Sequence, residues 1–462
     1  MMPRPTDQLY RGAEQIVRRL RQAGHEAFLA GGCVRDLLRG VSPQDYDVAT
    51  SAPPEQVAAL FPETRDVGKQ FGVCLVILDG HPYEVATFRT DSVYSDGRHP
   101  DSVTYSGPEE DARRRDFTIN GMFWDPAEDR VLDFVGGRQD LEGRLVRAIG
   151  DPETRFREDH LRLLRAVRFA ARLGFAIEER TRRAMESLAP LSGAVSAERL
   201  QDELRVILTD RAPAGALRLM DELGMLRAVF PQLEEARGCE QPENYHPEGD
   251  VFVHSILTVE KLGPHPDFVL ALAALLHDIG KPAASRRAGP KRFPEHSEIG
   301  RRITYEVCRR LRLSNDETER ICWLVDRHMY FKDAPRMKES TLKQLFAAPG
   351  FDQLAELHRA DALASWGNLE CYDYVMEKRR STPPEEVEPP PLVTGHDLIA
   401  MGYEPGPLFG KVLAAVREAQ LDGAVRTRDE ALDLARTKAE GMRTAPDARH
   451  GQTQMDTDAK GG

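Results

Sequence analysis

One change of pattern constrains the fold of this 462-residue chain more than any other feature. Up to about residue 150, short apolar runs rich in Val, Ile and Phe (28–30, 73–78 and 83–88) alternate with Gly- and Asp-rich turns, which reads as α/β. Beyond it, apolar residues fall at three- and four-residue spacing with no strand-like stretch up to about 235. A second helical zone, from about 240 to 380, holds most of the histidines. Residues 381–391, STPPEEVEPPP, read as a stiff acidic linker, 392 to about 440 as a small helical tail, and 441–462 as a polar, disordered end. The expectation is an α+β multi-domain chain: an α/β head over 1–150, a helical neck over 151–238, a second helical domain over 239–380 and the tail over 392–440. At ~150 residues per domain the length agrees.

Charge narrows the function. The net charge of −12 argues against binding nucleic acid through the whole surface. Yet the cations divide into 52 Arg and 11 Lys, and Arg is the side chain that grips phosphates and base edges bidentately. The longest apolar run, Phe268–Leu276, is nine residues, short of the roughly 18–20 needed to span a membrane. The opening MMPRPTDQLYRG has no apolar signal core, and the six cysteines lie apart without a CxxC pair. A reducing, cytoplasmic location is expected, with no membrane partner.

Two constellations in the head carry chemistry. In FLAGGCVRDLLRG (28–40), a strand meets a glycine pair and then a helix, a junction where backbone N–H groups can approach a phosphate. In Asp45-Tyr46-Asp47-Val48, a strand would set both carboxylates on one face, where they repel unless a cation sits between them. Each motif alone is also an ordinary turn. Together, Gly31-Gly32, Arg35-Asp36 and Asp45-x-Asp47 resemble the opening motif of nucleotidyltransferases related to DNA polymerase β. The resemblance implies a polymerase-β-like head in which Asp45 and Asp47 hold Mg²⁺, with activation of a 3′-hydroxyl and stabilisation of leaving pyrophosphate as the chemistry supplied. Glu84, in HPYEVATFR, is the candidate third carboxylate, although a polar residue there could equally face solvent.

Three adjacent arginines (113–115) precede DFTIN, and Asp159, Arg162, Arg165, Arg168 and Arg172 are spaced three, three, three and four, one stripe of a single helix. Between 155 and 183 nine Arg face four acids, a local +5. GGCVRD, DYDVAT, RRRDFTIN, DFVGGRQDL and EDHLRLLRAVRF, in that order over residues 28 to about 175, closely resemble the class II tRNA nucleotidyltransferases, the CCA-adding enzymes and their bacterial poly(A) polymerase relatives. The resemblance implies that Gly32 and Arg35 contact the nucleoside triphosphate and that Arg115, Arg162, Arg165 and Arg168 line the nucleotide pocket. Asp159 and Arg162 would read the base, a carboxylate accepting from the exocyclic amine shared by C and A while a guanidinium donates to a ring acceptor, which penalises G and U. The implied partners are tRNA, CTP and ATP.

Within that family a flexible loop is implied in the switch from C to A, and RTDSVYSDGRHPDSVTY (89–105) resembles it. Residues 67–72, VGKQFG, are only weakly basic where the poly(A) branch carries a GRRF-like element, which favours CCA addition over CC-only, A-only or poly(A) synthesis. His254, His277-Asp278 in ALLHDIGKP, His296, His328 and Asp361 resemble the HD phosphohydrolase pattern, which implies a divalent transition metal and hydrolysis of a phosphate ester, or a helical body that retains ligands without turnover. A reading of another class, an HD hydrolase with an RNA-binding head, also stays open at this point. In the tail, Thr394 and Asp397 read as helix caps, and the segment's implied role is contact with folded tRNA.

Overall fold

The computed structural model describes residues 5–68, 72–91, 103–243 and 249–444. The chain divides into two compact units, Met1–Asp326 with Leu363–Trp366, and Arg327–Ala362 with Gly367–Gly462.

The first unit opens with α1 (Gln8–Gln22), whose Tyr10, Ala13, Ile16, Val17 and Leu20 form one buried stripe and whose first turn is capped by the Asp7 carboxylate, 2.8 Å from the Tyr10 N–H. It packs on a seven-stranded mixed sheet of β1 (Ala27–Ala30), β2 (Asp47–Thr50), β3 (Thr64–Gly68), β4 (Val73–Leu78), β5 (His81–Thr87), β6 (Met122–Asp125) and β7 (Arg130–Asp133), in the order β3-β4-β5-β2-β1-β6-β7. The three apolar runs picked out in the sequence are thus strands. Phe28, Phe88 and Phe123 lie with ring centroids 5.9–6.3 Å apart beneath the sheet. Each buried ring contributes roughly 1.5–3 kcal/mol, which holds the functional end of the sheet rigid.

Register then places the chemistry. Strand β2 pairs antiparallel with β1 (Ala30↔Asp47) and parallel with β5 (Val48↔Val85). The turn after β1, the start of β2 and Glu84 of β5 therefore meet at one sheet end. Helix α2 (Gly32–Leu38) leaves that turn. The expected switching loop has a paired stem, Arg89↔Tyr105 and Thr90↔Thr104, while its 92–102 portion lies outside the described residues, as do 69–71 of the weakly basic stretch.

Helices follow from Pro108 onward: α3 (Pro108–Arg114), α4 (Pro152–Glu158), α5 (Leu161–Leu173), α6 (Ala197–Leu208), α7 (Val251–Lys261), α8 (Phe268–Leu276), α9 (Lys281–Ala288) and α10 (His296–Arg310) are those that position the sites. The expectation of no strand in this zone needs one correction. Ala176–Ile177 pairs in parallel with Leu145–Val146, because Gly174 (φ 66) ends α5 and turns the chain back beside the head. The stretch Phe268–Ala288 has the length and hydropathy of a candidate membrane span, yet 83% of its most apolar window is buried within the protein, so it is a core element.

In the second unit, residues 381–391 are held down, unlike a free spacer. Pro384–Val387 forms one helical turn with Val387 buried, and the Pro389 and Pro390 carbonyls accept from Arg417 (2.6 Å) and Gln420 (2.8 Å). The tail packs Gly395–Ala400, Pro407–Leu421 and Arg428–Thr444 around Leu398, Val412, Val416 and Ala435. Its last helix passes the expected limit at 440, and 445–462 lie outside the described residues. Thr394 and Asp397 form a reciprocal capping box.

Candidate active site

A cleft of about 970 Å³ in the first unit gathers the head residues singled out above: Gly32, Arg35, Asp45, Asp47, Glu84 and Arg115, facing Asp159, Arg162, Arg165 and Arg168. Gly31 has φ 74, and a Cβ there would stand 3.1 Å from an Arg115 guanidinium nitrogen, so glycine is required both for the turn and for the approach of that cation.

Strand β2 begins at Asp47, so Asp45 lies just ahead of the strand. The alternation nonetheless holds, because Tyr46 is buried against Tyr10 (5.8 Å, edge-on) while both flanking carboxylates line the cleft. Glu84 is exposed on its strand yet lines the same cleft. Asp47 is pushed up to about 7 by burial first, then by the charges of Glu84 and Asp45, which outweigh the lowering by Arg115. Three carboxylates thus line one cleft, and carboxylate oxygens are the donor type that divalent hard cations take.

A stability signature follows. The folded-state value lies above the ordinary 3.8, so between about pH 4 and pH 7 the folded state retains a proton that the unfolded state releases. Metal-free protein is therefore expected to lose melting temperature as pH rises from about 5 to about 7. Mg²⁺ is expected to raise the melting temperature more at the upper end, and Asp47→Asn to remove this pH-dependent difference. A melting series with and without the cation checks it.

The single helix expected to run through Asp159 is interrupted. Helix α4 ends at Glu158, Asp159 is extended (φ −145, ψ 104), and α5 starts at Leu161. The Asp159 carboxylate accepts from the Leu161 N–H (3.1 Å), and such local capping competes with helix continuation. Both its oxygens also accept from Arg199 of α6, at 2.9 Å each. The arginine stripe itself holds on α5.

Each of these arginines meets an acid. Arg162 contacts Glu158 (2.9 Å), Arg165 contacts Asp116 (2.7 Å) and Arg168 contacts Glu203 (2.5 Å). Arg115 contacts Asp111 (3.0 Å), and Arg35 contacts Asp36 (2.8 Å) and the Asn120 side chain (2.7 Å). Three guanidiniums, of Arg35, Arg165 and Arg168, lie 4.4–5.4 Å from the centroid of the Phe169 ring. Apart from Asp36, the pairing acids were not singled out in the sequence, nor was Arg199. Asp116 and Asn120 stand inside the RRRDFTIN block, and Arg199 and Glu203 share a face of α6 at four-residue spacing. Part of the local +5 has another destination: Arg182 and Arg183 make helix-surface pairs with Glu186 and Glu179.

A second group sits in the same unit. His254 of α7, His277 and Asp278 after α8, and His296 at the start of α10 are all buried. The His254 and His277 Nε2 atoms are 3.2 Å apart, and Asp278 lies 3.3 Å from the His277 Nε2 and 3.6 Å from the His296 Nε2. The Ala274 carbonyl accepts from the His277 Nδ1 (2.8 Å) and the Phe293 carbonyl from the His296 Nδ1 (2.9 Å). Each neutral ring then presents an unprotonated Nε2 to the carboxylate, an arrangement that suits a cation. Gly280 is needed for the approach of α10, since a Cβ there would lie 2.0 Å from the His296 carbonyl. Lys281 contacts Asp278 (2.5 Å) and Gln241 (2.6 Å). His328 and Asp361 belong to the second unit, where Asp361 lies one turn past His358, whose ring is pushed down to about 4 by burial.

The fold and the two residue groups define a nucleotidyltransferase-type head joined to an HD-type helical domain, both kinds that use divalent metals. Residues 27–147 match the poly A polymerase head domain, 174–237 the probable RNA and SrmB binding site of polymerase A, and 252–365 the HD domain. The chain belongs to the CCA-adding enzyme family: it is 30% identical to the CCA-adding enzyme of Enterococcus faecalis over 434 residues, 92% of this chain and 94% of that one. It is 45% identical to the Geobacillus thermodenitrificans enzyme over 221 residues, and that match spans about half of the relative, 54% of its length. The crystal structure of the Bacillus stearothermophilus CCA-adding enzyme in complex with CTP superposes with a TM-score of 0.68 at 29% identity, covering 94% of this chain and all of that one.

Proposed function

We propose that the protein adds CCA to the 3′ end of tRNA, using CTP and ATP and releasing pyrophosphate, in the cytoplasm. The observation that carries this is the grouping of Asp45, Asp47 and Glu84 in one cleft with the glycine turn and the α5 arginines. Mg²⁺, when bound by these carboxylates, would supply activation of the 3′-hydroxyl and charge neutralisation at the triphosphate. The Gly31–Gly32 turn and Arg35 hold the triphosphate. Asp159 and Arg162 read the base edge, with Arg199 keeping Asp159 in one orientation. Arg115, Arg165 and Arg168, set by Asp111, Asp116 and Glu203, line the pocket against the sugar and phosphates. A fixed pair of polar groups discriminates strongly, because a base that fails to match leaves them unpaired. Relatives support the assignment: CCA-adding enzymes have been solved in complex with CTP, with ATP and with tRNA.

The proposed division is head 1–150, neck 151–238, HD domain 239–380 and tRNA-contacting tail 392–440. The test is incubation of tRNA ending at the discriminator base, at C or at CC with Mg²⁺ and one labelled nucleotide at a time. C is expected to enter the first two ends and A the third; no incorporation would sink the assignment, and unlimited A would replace it with poly(A) synthesis.

A second activity is favoured by the convergence of imidazole nitrogens on Asp278. His254, His277, Asp278 and His296 would hold a divalent transition metal that supplies Lewis-acid chemistry for hydrolysing a phosphate ester at an RNA end. His277→Ala is expected to remove phosphatase or cyclic phosphodiesterase activity and leave nucleotide addition intact, as assayed on 2′,3′-cyclic and 3′-phosphorylated RNA.

A further inference from the structure

The cleft has two ends of different electrostatic character. At the inner end every arginine named above is set by an acid at 2.5–3.0 Å. At the outer end Arg172, the last member of the stripe, lies 3.8 Å from Asp210 and keeps 37% of its side chain exposed. The neighbouring Arg211 makes a backbone N–H bond to Asp210, and its guanidinium has no partner among the described residues. His265 comes from the loop between α7 and α8 and also lines the cleft. Its backbone has φ 56, a conformation non-glycine residues rarely adopt. It is held there by its N–H on the Asp210 carbonyl (3.1 Å) and its Nδ1 on the Thr209 carbonyl (3.3 Å), which leaves Nε2 for the cleft.

We propose that Arg172, Arg211 and His265 form a phosphate-binding subsite for the RNA strand being extended. This rests on the nucleotidyltransferase reading of the same cleft. Arginines held by an acid at hydrogen-bond distance are geometric readers, whereas the Arg211 guanidinium, and Arg172 with only the looser Asp210 pair at 3.8 Å, keep donors that an anionic ligand can complete. The nucleoside triphosphate belongs at the other end: α2 runs beside α5, with Arg35 over Phe169 (5.4 Å) and Arg39 over Phe175 (5.8 Å), so the glycine turn at its start lies away from Arg172. From Arg162 to Arg172 the helix rises ~15 Å, which separates the base-reading end from the outer cations. Arg172 and Arg211 are both exposed, so both are within reach of a strand arriving from solvent.

The test uses the full chain and two equilibrium measurements that need no turnover: affinity for a labelled RNA hairpin with a 3′-CC overhang by anisotropy across a salt series, and affinity for CTP with Mg²⁺ by calorimetry. Arg211→Ala is expected to weaken RNA binding about tenfold and to lower the salt slope by about one, the effect of one phosphate contact, while CTP affinity follows the wild type. His265→Ala is expected to act in the same direction. Arg113→Ala, on a surface pair with Glu109 outside the cleft, is the control and keeps wild-type values. Unchanged RNA affinity in Arg211→Ala, or a loss of CTP affinity in its place, overturns the subsite. A wild type that binds RNA with this arginine dependence but incorporates no nucleotide would overturn CCA addition and leave the subsite standing.

Discussion

Replacing Asp47 by Asn is expected to abolish nucleotide addition while leaving the fold intact. Its carboxylate is the most buried of three that share the cleft, and burial first, then the charges of Glu84 and Asp45, raise it to about 7. The amide keeps the volume but removes the anionic oxygen that draws a cation into the group. Losing one preorganised electrostatic contact at a developing charge costs about 10²–10³-fold in kcat. Loss of a metal-holding carboxylate is expected to reach at least the upper figure, measured as single-turnover incorporation of C into tRNA ending at the discriminator base. The apo protein is expected to be somewhat more stable at neutral pH than the wild type, because a like-charge repulsion has gone. A variant that kept wild-type rates would remove Asp47 from the reaction.

The second large effect concerns stability and function together. Asp116 accepts from Arg165 at 2.7 Å, from its neighbour's N–H at Phe117 (2.8 Å) and from the Asn120 amide (3.3 Å). Burial alone would raise its carboxyl, but Arg165 and these hydrogen bonds bring it down to about 2. Since the folded value lies below the ordinary 3.8, the stabilisation is complete above about pH 4 and is lost as pH falls through about 2. Asp116→Ala removes the one acid that Arg165 contacts directly, leaving only the more distant charges of Glu203 and Asp159, and strips a partner of Asn120, which in turn accepts from Arg35. The expected cost is ~3 kcal/mol, at the low end of about 3–5 for breaking a buried pair, because Arg165 keeps 34% of its side chain in water. Urea midpoints give that figure, and the nucleotide KM is expected to rise because two pocket cations lose their fixed positions. The double variant Asp116→Ala with Arg165→Met is expected to recover part of the stability and none of the affinity, which separates the two roles.

These expectations also show which parts of the site were legible from residues alone. The glycine turn, the two aspartates and the α5 stripe are local features, in which spacing of two, three or four residues determines which face a side chain takes. They were readable for that reason. The break at Asp159 was not, because the apolar pattern runs across it, and only the competition between capping and helix continuation ends α4 one residue earlier. Two of the acids that set the arginines come from elsewhere: Glu203 is 35 residues from Arg168, and Asp116 is 49 from Arg165. No periodicity links such pairs, so the sequence reads as a local surplus of positive charge where the folded protein holds near-neutral clusters. His265 is less visible still, since its place in the cleft depends on a positive φ and two backbone carbonyls or amides outside any motif. The net charge of −12 is reconciled in the same way, since ten arginines nevertheless gather along the one cleft.

The HD group gives a parallel case. His277-Asp278 was legible as a dipeptide, whereas the tautomer of each ring is set by the carbonyls of Ala274 and Phe293, and the closeness of α10 by the missing Cβ at Gly280. The tail shows the opposite outcome. Helix capping at Thr394 or Asp397 is local and was readable, although the reciprocal box was not foreseen, while the packing of 384–387 depended on a single apolar residue, Val387, within an acidic proline-rich stretch.

The central claim is that one cleft, with no nucleic-acid template, builds a defined three-nucleotide end. Its most direct test is the sequence of the tail added to tRNA ending at the discriminator base when CTP, ATP, GTP and UTP are all present at equal concentration with Mg²⁺. The account predicts C, C and A in that order followed by termination, without G or U. A tail of repeated A, or one that takes up G or U at a comparable rate, would contradict it.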